Sequence, residues 1–320
     1  MTERIQAKPL VEGALLAAMT VLLATINFYL PIPFLSLALP VPIIVLVFRQ
    51  NLNLGIMAAG VAAFLSGILA GGIGQTVLVL VSGAVGLALG EAMRQQFSPS
   101  KVLLIGTLAA LIFGAAMVGL LIWVTGVNNI RLYIDEMFKA FQQSSDQVVR
   151  LYTRLGVGKA QLDQLKAMQK NLTAGVRLLL PSLPVMMAVV QAGASYWLAR
   201  KVLLRLGNSV PGFPAFDRWR FPRYMVVGFL LSWLLQLRTS FFPHREIFIV
   251  IVANIYVAFL MVLFIQGLSV VWYYMNRYKA SGIVKALVLF LSFSFPPAEM
   301  ILVWIGVMDG WLNYRRLGRS

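Results

Sequence analysis

The sequence predicts an all-α fold, a polytopic bundle of membrane helices, and three observations carry that expectation. Sixty per cent of the 320 residues are apolar and only 12% are charged, with a mean hydropathy of +0.83. A soluble domain carries about 25% charged residues. Apolar runs near the length that spans a bilayer, about 20 residues, recur from one end of the chain to the other. Lys and Arg are concentrated in alternate connecting segments, as the positive-inside rule requires of membrane helices.

The apolar runs lie at 10–30, 34–48, 52–71, 75–93, 102–125, 178–199, 224–240, 248–276 and 286–312. They predict about eight or nine spans. Met1–Lys8 is polar and the first run lasts to Leu30, longer than a signal-peptide core, so no cleavable signal is expected. The second run is short and flanked by Pro31, Pro33, Pro40 and Pro42, which predicts a partial or tilted helix. With the N-terminus in the cytoplasm, the inner connections up to residue 285 hold 14 Lys and Arg, and the short outer loops hold only Arg238 and Arg245. The long segment 126–177 holds eight, but long loops translocate largely regardless of charge. The net charge of +16 is accounted for by those inner loops, so nucleic acid is not an expected partner; the lipid bilayer is.

Three regions differ in texture. Residues 1–125 form a glycine-rich bundle of about five spans, with small residues four apart at Ala14/Ala18, Ala63/Gly67, Gly67/Gly71, Gly86/Gly90, Ala110/Gly114 and Ala115/Gly119. Such spacing lets helix backbones approach closely in lipid. Residues 126–177 form an extramembrane amphipathic segment. Ile134, Met137, Phe138, Phe141, Val148, Tyr152 and Leu155 share one helical face, and a break is expected at Gly156-Val-Gly158. Residues 178–320 hold the remaining, bulkier spans, with the basic loop 200–223 between them.

The last run carries Ser292-Phe-Ser-Phe-Pro-Pro-Ala-Glu-Met300. A hairpin turning at Pro296-Pro297 would return Arg315, Arg316 and Arg319 to the cytoplasm, but each arm would be only about 21 Å long at 1.5 Å per residue. A single kinked span satisfies length and leaves those cations outside. If a half-helix starts at Pro297, Glu299 falls in its first turn, where free N–H groups stabilise a carboxylate. A broken helix also marks binding sites in transporters.

Chemistry-bearing motifs are few. Gly156-Val-Gly-Lys-Ala160 lacks the first glycine and the hydroxyl of a phosphate loop. There is no cysteine, His244 is the single histidine, and neither a metal site nor a cofactor is expected. An enzyme is not the expected class. Glu12 and Glu91 are expected near the inner ends of their helices, Glu91 turning to Arg94. Asp309 is expected to pair with Arg315 or Arg316. Neutral polar residues within spans include Gln236, Asn254 and Gln266, which read as interhelical hydrogen-bond partners. Asn27, Gln75, Gln191 and Ser195, with Glu299, are the candidates for substrate binding.

From Leu10 to about Arg200 the chain resembles the substrate-binding S components of energy-coupling-factor vitamin transporters. The likeness lies in Ala14-Leu-Leu-Ala-Ala18, in "LPIPFLSLALPVPIIVLVF" and in the glycine-rich third and fourth spans. It implies that Ala14 and Ala18 dock on a membrane coupling protein, that "YLPIPF" forms a lid over substrate, and that a separate ATPase complex energises uptake. Nearly end to end, the chain is similar to the YybS-like family of uncharacterised bacterial membrane proteins, through "RWRFPRYMVVGFLL" and "FPPAEMILVWIGVMDGWLNYRR". That implies a bacterial inner membrane location, and a chain with about three helices beyond the six of an S component. The rival expectation is a scaffold or regulatory protein of the envelope, with a cytoplasmic partner at Arg200–Arg223.

Overall fold

The computed structural model describes residues 3–30, 32, 34–125, 130–238, 246–312 and 314–315. Every regular element among them is helical: twelve α-helices and two single 3-10 turns. Five helices are long and apolar enough to cross a membrane, and two bent pairs raise the number to seven. The remaining two apolar runs form shorter helices, at Ser36–Arg49 and Arg223–Leu237. The expected count of eight or nine spans is therefore not reached by length and composition. The chain folds as two compact units, residues 1–173 with 183–212, and residues 174–182 with 213–320. These differ from the sequence boundaries at 125 and 177, because the helix Leu183–Arg205 packs on the front bundle.

The first unit contains α1 (Glu3–Tyr29), α2 (Val41–Arg49), α3 (Leu52–Leu69), α4 (Ile73–Arg94), α5 (Pro99–Thr125), α6 (Ile130–Arg154), most of α7 (Lys159–Leu179), and α8 (Leu183–Arg205). Its centre is α2. Nine residues make about 13.5 Å of helix, too little to cross a bilayer, yet Pro42 to Val47 are all buried. The short helix packs against α1, α3, α4 and α8. Ile43, Leu46 and Val47 meet Ala17 of α1 and Ala58 and Ala59 of α3. On the α4 side a Cβ at Gly86 would stand 2.9 Å from the Pro40 carbonyl oxygen, and one at Gly90 would stand 2.8 Å from Val47 Cβ. The Gly86/Gly90 spacing therefore seats α2. The same spacing recurs on α5 at Ala110/Gly114 and Ala115/Gly119, where a Cβ at either glycine meets nothing within 4 Å. Spacing licenses close approach without saying whether a neighbour is there.

Local signals set the helix ends. Asn51 caps α3, its Oδ1 accepting from Leu54 N at 2.8 Å. The α3–α4 turn needs two positive φ angles and places Gly71 (φ 112°) and Gly72 (φ 65°) there. The polar region forms two helices that break at Gly156 (φ 78°). Of the apolar stripe on α6, Phe138 is buried, while Phe141, Val148, Tyr152 and Leu155 remain exposed.

The second unit contains the last residues of α7, a 3-10 turn at Phe216–Arg218, α9 (Arg223–Arg238), α10 (Glu246–Arg277), α11 (Gly282–Ser294) and α12 (Pro296–Leu312). Val226, Phe229, Leu263, Val303 and Val307 form its core. α10 and α12 touch through backbone: a Cβ at Gly267 would collide with the Leu302 carbonyl, and one at Gly306 with the Leu263 carbonyl. Asn254 ties the incoming strand of chain, donating to Leu178 O and accepting from Ser182 N, both at 2.9 Å.

Gly306→Ala is expected to lower the thermal unfolding midpoint of the detergent-purified protein by the equivalent of about 1–3 kcal/mol, the cost of overpacking a filled contact. Gly60→Ala, with nothing within 4 Å of its Cβ, is expected to be neutral or stabilising by at most about 1 kcal/mol.

Candidate functional site

The neutral polar candidates of the first unit fall into two groups. Gln75 is buried on α4 and donates through Nε2 to the Ala24 carbonyl of α1 at 2.8 Å. Asn27, one turn beyond Ala24, is half-buried. At this end Tyr29 Oη donates to Leu69 O at 3.3 Å, and Gly71 lies against the Phe28 ring. Gln191 and Ser195 of α8 form the second group. Ser195 Oγ donates to Leu37 O at 2.8 Å, and Gln191 Nε2 reaches Ser36 O at 3.4 Å and Ser195 Oγ at 3.3 Å. The segment before α2 thus folds back into the bundle and is held by its backbone carbonyls. The described contacts do not join all four side chains in one cluster. Pro31 and Pro33 of the expected lid lie outside the described residues.

Helix α1 sorts its small residues by face. Gly13, Ala17, Thr20 and Ala24 are buried, whereas Ala14 and Ala18 are exposed beside Leu15 and Met19. One face packs within the unit and the other is open.

Glu12 and Glu91 are already engaged. Glu12 pairs with Arg49 at 3.0 Å and accepts from Gln50 Nε2 at 2.6 Å. Glu91 lies 3.8 Å from Arg94 and accepts from Gln95 Nε2 at 2.9 Å. In the second unit the proline break divides the last run into α11 and α12, bent by 103°. The axes are close to perpendicular, neither an antiparallel hairpin nor a gently kinked span. α12 starts at Pro296, one residue before the expected position, and Glu299 sits half-buried in its first turn. Pro296 has no N–H to lose there.

A larger polar cluster surrounds Asp309. Asp309 and Gln266 are fully buried, as is Ser269, and Arg315 is only 5% exposed. Arg315 Nε and one terminal nitrogen contact Asp309 at 3.3 and 2.8 Å. Its other N–H groups reach Asp217 O, Trp219 O and Ser269 Oγ, each at 2.7 Å. Gln266 bridges Asp309 Oδ2 and the Phe221 amide, both at 3.2 Å, and Ser269 Oγ donates to Phe216 O at 2.6 Å. All five guanidinium hydrogens have acceptors, so nothing remains to bind a substrate. The cluster latches the segment after α12 to the chain before α9.

The sequence paired Asp309 with Arg315 or Arg316; Arg315 is the partner, and Arg316 lies outside the described residues. Ser269 and the loop carbonyls escaped sequence reasoning, although Gln266 and Ser269, three apart on one helical face, were a usable signal. Within loop 200–223, Arg200 Nε donates to Val210 O and Pro211 O at 3.2 and 3.1 Å, and Tyr196 Oη to Pro211 O. Lys201 lies over the Trp197 ring at 3.5 Å. Arg205, Arg218 and Arg223 are exposed. His244 lies outside the described residues, and among those described no group of three His, Cys, Asp or Glu could hold a metal ion.

Long apolar helices, glycine-mediated crossings and a buried, paired acid define a polytopic helical membrane protein. A family model described as "Predicted membrane protein (DUF2232)" matches residues 18–310, and the chain belongs to that family. It is 27% identical over 316 residues to "Uncharacterized protein YybS" of Bacillus subtilis (strain 168), covering 97% of this chain and 98% of that one. No solved structure matches.

Arg315→Met is expected to cost about 3–5 kcal/mol of stability, because it leaves Asp309 buried and unpaired. Asp309→Leu with Arg315→Met should recover part of that loss, since the Asp217 and Trp219 carbonyls still lack their donors. Thermal unfolding in detergent reads both. Glu299→Gln, measured the same way, should cost about 0.3–1 kcal/mol, the interaction of a carboxylate with a helix N-terminus.

Proposed function

We propose that the first unit is a small-molecule binding or uptake subunit of the S-component type, working in a bacterial inner membrane with its N-terminus in the cytoplasm. The observation that supports this reading best is the division of α1, with Gly13, Ala17, Thr20 and Ala24 packed inward and Ala14 and Ala18 exposed. An open face of small side chains suits close approach by a helix of another membrane protein. Solute would enter beside Asn27 and Gln75. The segment before α2, bonded to Gln191 and Ser195, would respond by exchanging those hydrogen bonds. Nothing in this reading calls for a catalytic group, and the energy would come from a separate membrane subunit and its ATPases.

The test is mild-detergent purification of the tagged chain from its native membrane, followed by identification of the retained proteins. Energy-coupling-factor membrane and ATPase subunits should be recovered with the wild type, and at least about tenfold less with Ala14→Leu/Ala18→Leu, a loss of about 1.4 kcal/mol or more. Recovery of envelope or signalling proteins in their place would overturn the proposal, and loop 200–223 would then be the surface to vary.

A further inference from the structure

The end of the second unit where α10 and α12 finish carries a feature that neither the latch nor the proposed uptake role uses. Two apolar grooves of about 430 and 450 Å³ meet there, and Ile305 and Tyr314 line both. One follows α12 past Met300, Trp304 and Met308. The other follows α10 past Val271, Tyr274 and Tyr278. Each is within the size of small-ligand sites, about 300–1,000 Å³.

The end of α10, where Tyr278 lines the second groove, is cationic. Arg277 and Lys279 are exposed and flank Tyr278 in sequence, and no acidic residue occurs between Gly267 and Ala298. The nearby acids are engaged elsewhere: Asp309 on Arg315, and Asp217, which accepts from Asn276 Nδ2 at 2.9 Å. Lys279 also has a φ of +53°, a left-handed conformation that usually falls to glycine at the end of a helix. Its turn is pinned by Ala280 N donating to Met275 O at 2.8 Å. A cation is therefore fixed at a position where glycine would be less strained, next to the residues that line a groove. Tyr274 stacks on Tyr278 with ring centroids 6.4 Å apart. Tyrosines and basic residues at the end of apolar helices form the tier that meets lipid headgroups.

We propose that this end of the unit is a binding site for one anionic phospholipid of the bilayer. Its two acyl chains lie in the two grooves, and its phosphate meets Arg277 and Lys279 at the end of α10. Two short troughs that share Ile305 and Tyr314 suit an amphiphile with two tails. A partner helix would need one continuous groove, and it would have to present acids to these cations.

The experiment is native mass spectrometry of the full chain in mild detergent, titrated with phosphatidylglycerol and with phosphatidylethanolamine of the same acyl composition. The wild type is expected to retain one phosphatidylglycerol at concentrations where phosphatidylethanolamine is not held. Arg277→Gln/Lys279→Asn should weaken that binding about 30-fold, the effect of two headgroup cations. The equal-charge control Lys166→Gln/Lys170→Gln on α7 should leave it unchanged. Met308→Trp, which fills one groove, should weaken it as well, and Val271→Trp serves if that variant fails to fold. Equal retention of the two lipids by the wild type, equal loss in the α7 control, or unchanged binding in the double variant would each overturn the proposal.

Discussion

Apolar helices surrounded by lipid gain nothing hydrophobic by meeting one another, because a lipid tail is as apolar as a leucine. Association must come from close packing and from polar groups that find partners. Both units obey this constraint. In the first, Gly86 and Gly90 bring the α4 backbone onto α2, and a helix too short to cross becomes the centre around which longer ones gather. In the second, Gly267 and Gly306 let α10 and α12 touch through main chain, and the core of Phe229, Leu263 and Val303 forms beside that contact.

The polar residues follow from the same constraint. An unpaired donor in an apolar interior costs several kcal/mol, so each must be answered within the protein. Gln75, Gln191, Ser195 and Asn254 all bond to backbone carbonyls. They hold irregular segments of chain against helices. Arg315 does so most completely, using every guanidinium hydrogen to close the chain end onto the segment before α9. The Arg315 cluster, with five bonds and a buried counter-charge, works as a fixed point.

The "SFSFPPAEM" break joins these two themes. Prolines at the start of α12 stop α11 without wasting an N–H, and Glu299 meets the positive end of the new helix. The break thus accounts for its own carboxylate. Its consequence is geometric: the near-perpendicular turn lays α12 along α10 in glycine contact, and it leaves α11 with only Ser292 buried.

Much of this was legible in the residues. Composition determined the membrane class and the absence of strands among the described residues, because 60% apolar content in long runs has few other outcomes. Local sequence gave the broken amphipathic region, the partial second helix and the pairing of Asp309 with Arg315 or Arg316, since each depends on neighbours a few positions apart; the packed chain chose Arg315. What tertiary structure alone decided is which of several equivalent signals is used. Gly86/Gly90 and Ala115/Gly119 have the same spacing, yet only the first pair faces a helix. Which backbone Gln191 and Ser195 hold was decided only when the chain 155 and 158 positions earlier came to meet them. Ser269 was silent until Arg315 folded onto it. Short-range periodicity records which face of a helix a residue occupies; only the packed chain records what stands opposite that face.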